Sequence, residues 1–216
     1  MSESSVQIEH LLSSIDRYNP DNVDILEAYA LEQAKTGVYN LKANLAVLKL
    51  YQFNPPLFKP EMVSLILLKA ITNLPNPDYQ LCFSLIHDSH QQDESLKVIA
   101  ELSRLLETCQ FQQFWTVLKE NPDLTKEIEG FEDSIRKFIC HVVSLTWQTI
   151  RRETLTKLLG EISDPEVENF AKARGWKTTG ETIFIANQEA TVKPKNIVEK
   201  IQYDNVAGVM MIGNTN

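Results

Sequence analysis

The sequence predicts a mostly α-helical fold: a stack of antiparallel helices, then a module of two short helices and a β-hairpin, then a terminal helix. Three observations carry this reading. Apolar residues recur at helical spacing through residues 1–130, with no strand-like alternation. Pro, Asn and Gly break that pattern at intervals of one short helix, so the helices must reverse direction and pack on one another. Alternation of period two first appears at Thr182–Asn187, directly after two short helical runs.

The elements follow in order. Val6–Arg17 places Ile8, Leu11, Leu12 and Ile15 on one face and stops before Asn19-Pro20. Asp21–Thr36 starts on an Asp cap and ends at Gly37, with Leu26, Tyr29, Ala30 and Gln33 as its stripe. Asn40–Phe53 carries Leu41, Leu45 and Leu48 up to Asn54-Pro55-Pro56. Pro60 opens a helix through Leu65, Leu68 and Ile71, which breaks at Leu74-Pro75-Asn76-Pro77. Asp78–Ser89, Glu94–Cys109 and Gln112–Asn121 complete a stack of about seven helices, HEAT-like in architecture but without a fixed sequence period.

From Gly130 a longer helix, Phe131–Trp147, leads into the module. Residues 149–160 and 163–175 read as its two short helices, the second opened by the capping box Ser163-x-x-Glu166 and closed by Gly175. The expected wing is a hairpin of Thr182–Asn187, a turn at Asn187–Ala190, and Thr191–Val192. Helix, turn, helix and wing together predict a winged helix. Helical spacing resumes after Pro194 at Ile197 and Ile201. The expected division is a helical domain at 1–130, a module at 131–203 and a tail at 204–216.

Charge narrows the function. The 216 residues are 43% hydrophobic, enough to bury roughly 70% of the unfolded surface. Residues 1–130 hold 10 Lys/Arg against 18 Asp/Glu, whereas 131–216 hold 11 of each, giving the net charge of −8. An acidic body opposes binding that depends on neutralising many phosphates. The second module helix begins with Asp164, Glu166 and Glu168, so its leading end repels phosphate. Arg151, Arg152, Lys193, Lys195 and Lys200 are the basic residues that could lie near RNA inside a larger assembly; independent DNA binding is not expected. No apolar run of membrane length and no signal-peptide pattern occurs, so a cytoplasmic protein without membrane contact is expected. Cys82, Cys109 and Cys140 are odd in number and set in apolar runs, and read as buried thiols.

Catalytic chemistry finds little footing. His87-Asp88-Ser89-His90 followed by Asp93 and Glu94 has a metal-ligand look, but a site needs three or four converging ligands, and a solvated helix end explains the cluster better. Cys140 and His141 are adjacent on a helix and point about 100° apart. The seven glycines are scattered and form no phosphate loop. No cofactor and no enzymatic activity are expected. The tail residues Ile197, Ile201, Val206, Val209, Met210 and Met211 exceed what one terminal helix needs. Ile197, Ile201, Val206, Val209 and Met210 of the tail, with Ile183, Ile185 and Val192 of a wing edge free to accept another strand, are the candidate protein-docking residues.

Several unusual strings occur in one order: IDRYNP at 15–20, ANLAVLKLYQFNP at 43–55, LLKAITNLP at 67–75, LLETCQFQQFW at 105–115, GFEDSIRKFICHVV at 130–143 and KPKNIVEKI at 193–201. Through them the chain resembles the subunit k family of eukaryotic translation initiation factor 3, of PCI type, over about residues 11 to 206. That resemblance implies a HEAT-like helical domain followed by a winged helix. It also implies a non-catalytic scaffold in preinitiation-complex assembly, held by other subunits of that factor, subunit l in particular, and through them by the small ribosomal subunit. The alternatives are a PCI subunit of the proteasome lid or signalosome, and a free-standing winged-helix nucleic-acid binder.

Overall fold

The computed structural model describes residues 3–186; Val192, Lys193, Lys195, Ile197, Lys200, Ile201, Val206, Val209 and Met210 lie outside the described residues. Among these, ten α-helices precede or flank one small antiparallel sheet: α1 (Glu3–Ser13), α2 (Val23–Thr36), α3 (Leu41–Phe53), α4 (Pro60–Ile71), α5 (Asp78–Phe83), α6 (Glu94–Glu107), α7 (Phe111–Glu120), α8 (Phe131–Thr146), β1 (Thr149–Arg151), α9 (Arg152–Leu158), α10 (Asp164–Ala173), β2 (Lys177–Thr179) and β3 (Thr182–Phe184). The mostly α fold with a small β wing is the one the sequence predicts.

Local chemistry sets most boundaries. The Asn40 side chain accepts from Ala43 N and caps α3, and Pro60 supplies the pre-set φ of the first turn of α4. Helix α2 ends at Gly37 in the left-handed conformation. The start of α2 differs from expectation. Asn19, not Asp21, does the capping: its side chain accepts from Asp21 N and begins a short 3-10 turn before Val23.

Two helices are shorter than their apolar pattern suggests. Helix α1 stops at Ser13 because the Ser14 side chain accepts from Asp16 N and starts a 3-10 turn, Ile15–Tyr18. Ile8 and Leu12 are buried as expected, but Ile15 is thrown outward, 83% exposed. Helix α5 ends at Phe83. The following segment is held by tertiary contacts: the His90 ring stacks on Phe58 at 3.8 Å, and Gln91 Nε2 donates to Ile86 O at 2.9 Å.

The core runs without a break from Ile8 to Ile185, with Leu26, Leu50, Ile66, Leu67, Leu102 and Phe114 fully enclosed. Two polar networks bridge helices, the first open to solvent at Lys59. Glu27 accepts from Tyr51 Oη at 2.5 Å and from Lys59 Nζ at 2.6 Å, joining α2 to α3 and to the start of α4. Gln33 donates to Asn44 Oδ1 at 3.0 Å and accepts from Asn40 N at 2.7 Å. Each buried group thus recovers part of the hydration it loses. Burial pushes the Tyr51 phenol well above its ordinary pKa, and the Glu27 carboxylate adds to the rise.

Candidate functional site

The C-terminal part of the described chain has the order helix, strand, helix, helix, strand, strand, with sheet order β1-β3-β2. That is a winged helix, but its wing differs from expectation in two ways. Thr149–Arg151 is a strand and not the start of a helix. A hairpin also forms earlier, β2 to β3 around Gly180, which takes the left-handed φ of +59°, while the expected turn at Asn187–Ala190 and second arm Thr191–Val192 lie outside the described residues. A three-residue strand is too short to leave a periodic trace, and Ile150 enters it because its side chain is needed opposite Ile183 in the core.

The sheet has two faces. Ile150 and Ile183 point inward with Leu155, Leu159, Val167, Ala171 and Trp176. The outward rows are Thr149, Phe184 and Lys177, then Arg151, Thr182 and Thr179. Of the expected docking residues, Ile183 is fully buried and Ile185 nearly so. Neither offers a docking surface, because both complete the module's own core. β3 is also central, paired on both sides, and Ile185 N donates to Gln148 O at 2.8 Å. The exposed apolar residue of this strand is Phe184, at 41%. Leu145 and Trp147, at the end of α8 and just before β1, are exposed as well. Gln148, bonded to Ile185, brings Trp147 to the Phe184 end of the sheet. Strand parity could have separated Phe184 from its neighbours in the sequence; the exposure of Leu145 and Trp147 had no sequence signal.

The charged side of the module is occupied from within. Arg152 pairs with Glu168 at 3.2 Å and with Asp164 at 4.0 Å, bridging the start of α9 to α10. Lys157 pairs with Glu153 at 2.6 Å, which raises the lysine pKa and lowers that of the glutamate. The Glu166 carboxylate accepts from Ser163 N at 2.9 Å and Oγ at 2.6 Å, which holds its pKa below the usual range. Arg151 is exposed on the outer sheet face and has no ion pair among the described residues. An open cleft of about 1010 Å³ lies here, lined by Arg151, Arg152 and Lys157 but also by Glu153, Glu161, Asp164 and Glu181. Interleaved charges of both signs suit polar protein contacts and oppose a run of phosphates.

The module is clasped to the helical stack by Trp115 of α7. Its Nε1 donates to Leu158 O at 2.9 Å, and the Arg136 guanidinium lies 5.3 Å from the ring centroid. Arg136 Nε donates in turn to Leu159 O at 3.2 Å. Gly160, at φ +90°, lets the ring approach so closely that a Cβ there would meet Trp115 Cδ2 at 2.8 Å. Lys119 and Glu161 pair nearby at 3.3 Å, but an exposed pair contributes only about 0–1 kcal/mol, so the indole carries this junction. Elsewhere, His87 Nδ1 lies 2.9 Å from Ser89 Oγ, and no group of three or more His, Cys, Asp or Glu is placed to hold a metal among the described residues. No helix there is long and apolar enough to cross a membrane.

Comparison with known proteins adds a separate line. The model of the CSN8/PSMD8/EIF3K family matches residues 57–196. The chain is 52% identical over 201 residues to the Xenopus laevis eukaryotic translation initiation factor 3 subunit K, covering 93% of this chain and 92% of that protein. Similarity to the Homo sapiens protein of the same name is 52% over 202 residues, covering 93% and 92%. For the Culex quinquefasciatus protein of that name it is 45% over 203 residues, covering 94% and 92%. The family model spans three kinds of subunit, and these relatives bear one name among them.

Proposed function

This chain belongs to the CSN8/PSMD8/EIF3K family, and from that premise we propose that it serves as subunit K of eukaryotic translation initiation factor 3. The observation that carries the proposal is the 52% identity over 93% of the chain to proteins of that name. Its role is that of a non-catalytic scaffold in the cytoplasm, acting in preinitiation-complex assembly by protein–protein docking. Subunit l is the proposed neighbour, and the small ribosomal subunit is reached through the complex.

Two features support docking over nucleic-acid reading. The first turn of α10 is acidic, and Arg152 is committed to Glu168 and Asp164. The outward residues Phe184, Trp147 and Leu145 are the apolar contacts of the described module. Ile197, Ile201, Val206, Val209 and Met210 extend the proposed interface by their helical spacing in the sequence. The domain division at 130 and 203 is part of the same proposal. Affinity purification of the tagged chain from a cytosolic extract, read by mass spectrometry, tests it. Initiation-factor subunits, subunit l among them, should co-purify; recovery of proteasome or signalosome subunits in their place overturns the reading.

A further inference from the structure

A groove lined by residues near the other end of the sequence is distinct from the winged helix. Helix α3 places Lys42, Leu45, Ala46 and Lys49 at i, i+3, i+4 and i+7, which is one helix face. Leu12 and Ser13 from the end of α1, with Arg17 and Tyr18 from the 3-10 turn, line the other side, and the groove holds about 360 Å³. Phe53, one turn beyond Lys49, is 66% exposed and meets Tyr18 edge to face with centroids 6.4 Å apart.

Its charge is one-sided. Every charged residue lining the groove is a cation, on a body where acids outnumber bases by 18 to 10. Of those ten bases, Lys59, Arg104, Lys119 and Lys126 pair with carboxylates and Lys69 is buried. Arg17, Lys42 and Lys49 form no ion pair among the described residues. Asp16, next in sequence, accepts from Ser14 Oγ at 2.8 Å. The Arg17 guanidinium lies over the Tyr18 ring at 4.7 Å. Three cations around an apolar floor complement a ligand that brings carboxylates and apolar side chains together.

We infer that this groove binds an acidic peptide segment of a partner protein, one that also carries Leu- or Phe-type side chains. Its carboxylates sit at Arg17, Lys42 and Lys49, and an apolar side chain rests on Leu45 and Ala46 against the Tyr18–Phe53 pair. A nucleic-acid strand would use the cations but leave Phe53 uncovered, and the net charge of −8 repels a long polyanion.

The test is selection of short random peptides displayed on phage against the full chain, followed by fluorescence anisotropy of the selected sequences as labelled synthetic peptides. Selected peptides should be enriched in Asp or Glu together with Leu, Ile or Phe. The double variant Lys42→Glu, Lys49→Glu should weaken their binding by about tenfold or more, and added salt should weaken it for the unmodified chain. Phe53→Ala keeps every charge and should also weaken binding, whereas Lys97→Glu, an exposed cation on α6, should not. Circular dichroism and thermal melting of each variant verify that it is folded. Selected peptides without acidic enrichment, or equal binding to the double variant, overturn the inference. So does a poly-uridine strand that binds the chain, is lost with the double variant and is indifferent to Phe53→Ala, since the groove would then recognise phosphate.

Discussion

Gly160 and the three cysteines show how much a single position depends on what is packed beside it. Gly160 combines a left-handed φ with an indole where its Cβ would be, so Gly160→Ala adds backbone strain to a clash with a rigid ring. Each effect costs about 1–3 kcal/mol, and together they should lower stability by about 2–6 kcal/mol. A urea midpoint that hardly moves would show that α7 and α9 are less tightly joined than the Trp115 contacts imply. The cysteines read alike in sequence but part in space: Cys82 and Cys140 are buried, while Cys109 is exposed at φ +58° after the end of α6. One thiol should therefore react quickly with a disulfide reagent in the native chain and the other two only on unfolding. Burial pushes the Cys82 thiol up to about 12 and that of Cys140 up to about 11. The unfolded chain releases these protons first, so their contribution is full below about pH 9 and is lost as pH rises through the folded-state values. Urea midpoints at rising alkaline pH should fall, and less steeply in Cys82→Ala or Cys140→Ala chains. An unchanged slope in both variants would mean the decline has another source.

Among the elements, β3 decides which side of the module faces a partner. Side chains alternate along it, so adjacent residues answer to different forces. Ile183→Ala empties a packed core and should cost about 2–4 kcal/mol. Phe184→Glu alters the outer face and should cost less than about 1 kcal/mol, yet reduce co-purification with other initiation-factor subunits. Undiminished recovery of those subunits with a folded Phe184→Glu chain would remove the outer sheet face from the proposed interface. The sequence showed that alternation at 182–185 and the capping box of α10. It did not show that β1 lies at 149–151 or that the hairpin turns at Gly180. Three-residue strands acquire their conformation from ladder partners and core contacts, and such partners are not local in sequence. In helices the reverse holds: Asn40, Pro60 and Gly37 act within a turn of their own position, and those boundaries were legible.

At the scale of the whole molecule, one continuous core joins the described helices to the winged helix, and residues beyond it are the proposed means of attachment to a complex. Truncation after Lys193 should leave the body folded, judged by circular dichroism and a cooperative melt, and abolish co-purification with subunit l. A truncated chain that enters the complex as well as the full one would place attachment elsewhere. The mostly α class, the seven helices before residue 130, the winged helix after it and the family were determined by the sequence alone. Periodicity, capping and extended similarity are properties of neighbouring residues in order. Only the tertiary structure decided that Ile183 and Ile185 are inside, that Arg152 is held by Glu168, that Trp115 grips Gly160 and that Arg17, Lys42 and Lys49 converge. Burial and charge pairing depend on which distant segments meet, and the same side chain is core, clasp or contact according to what lies across from it.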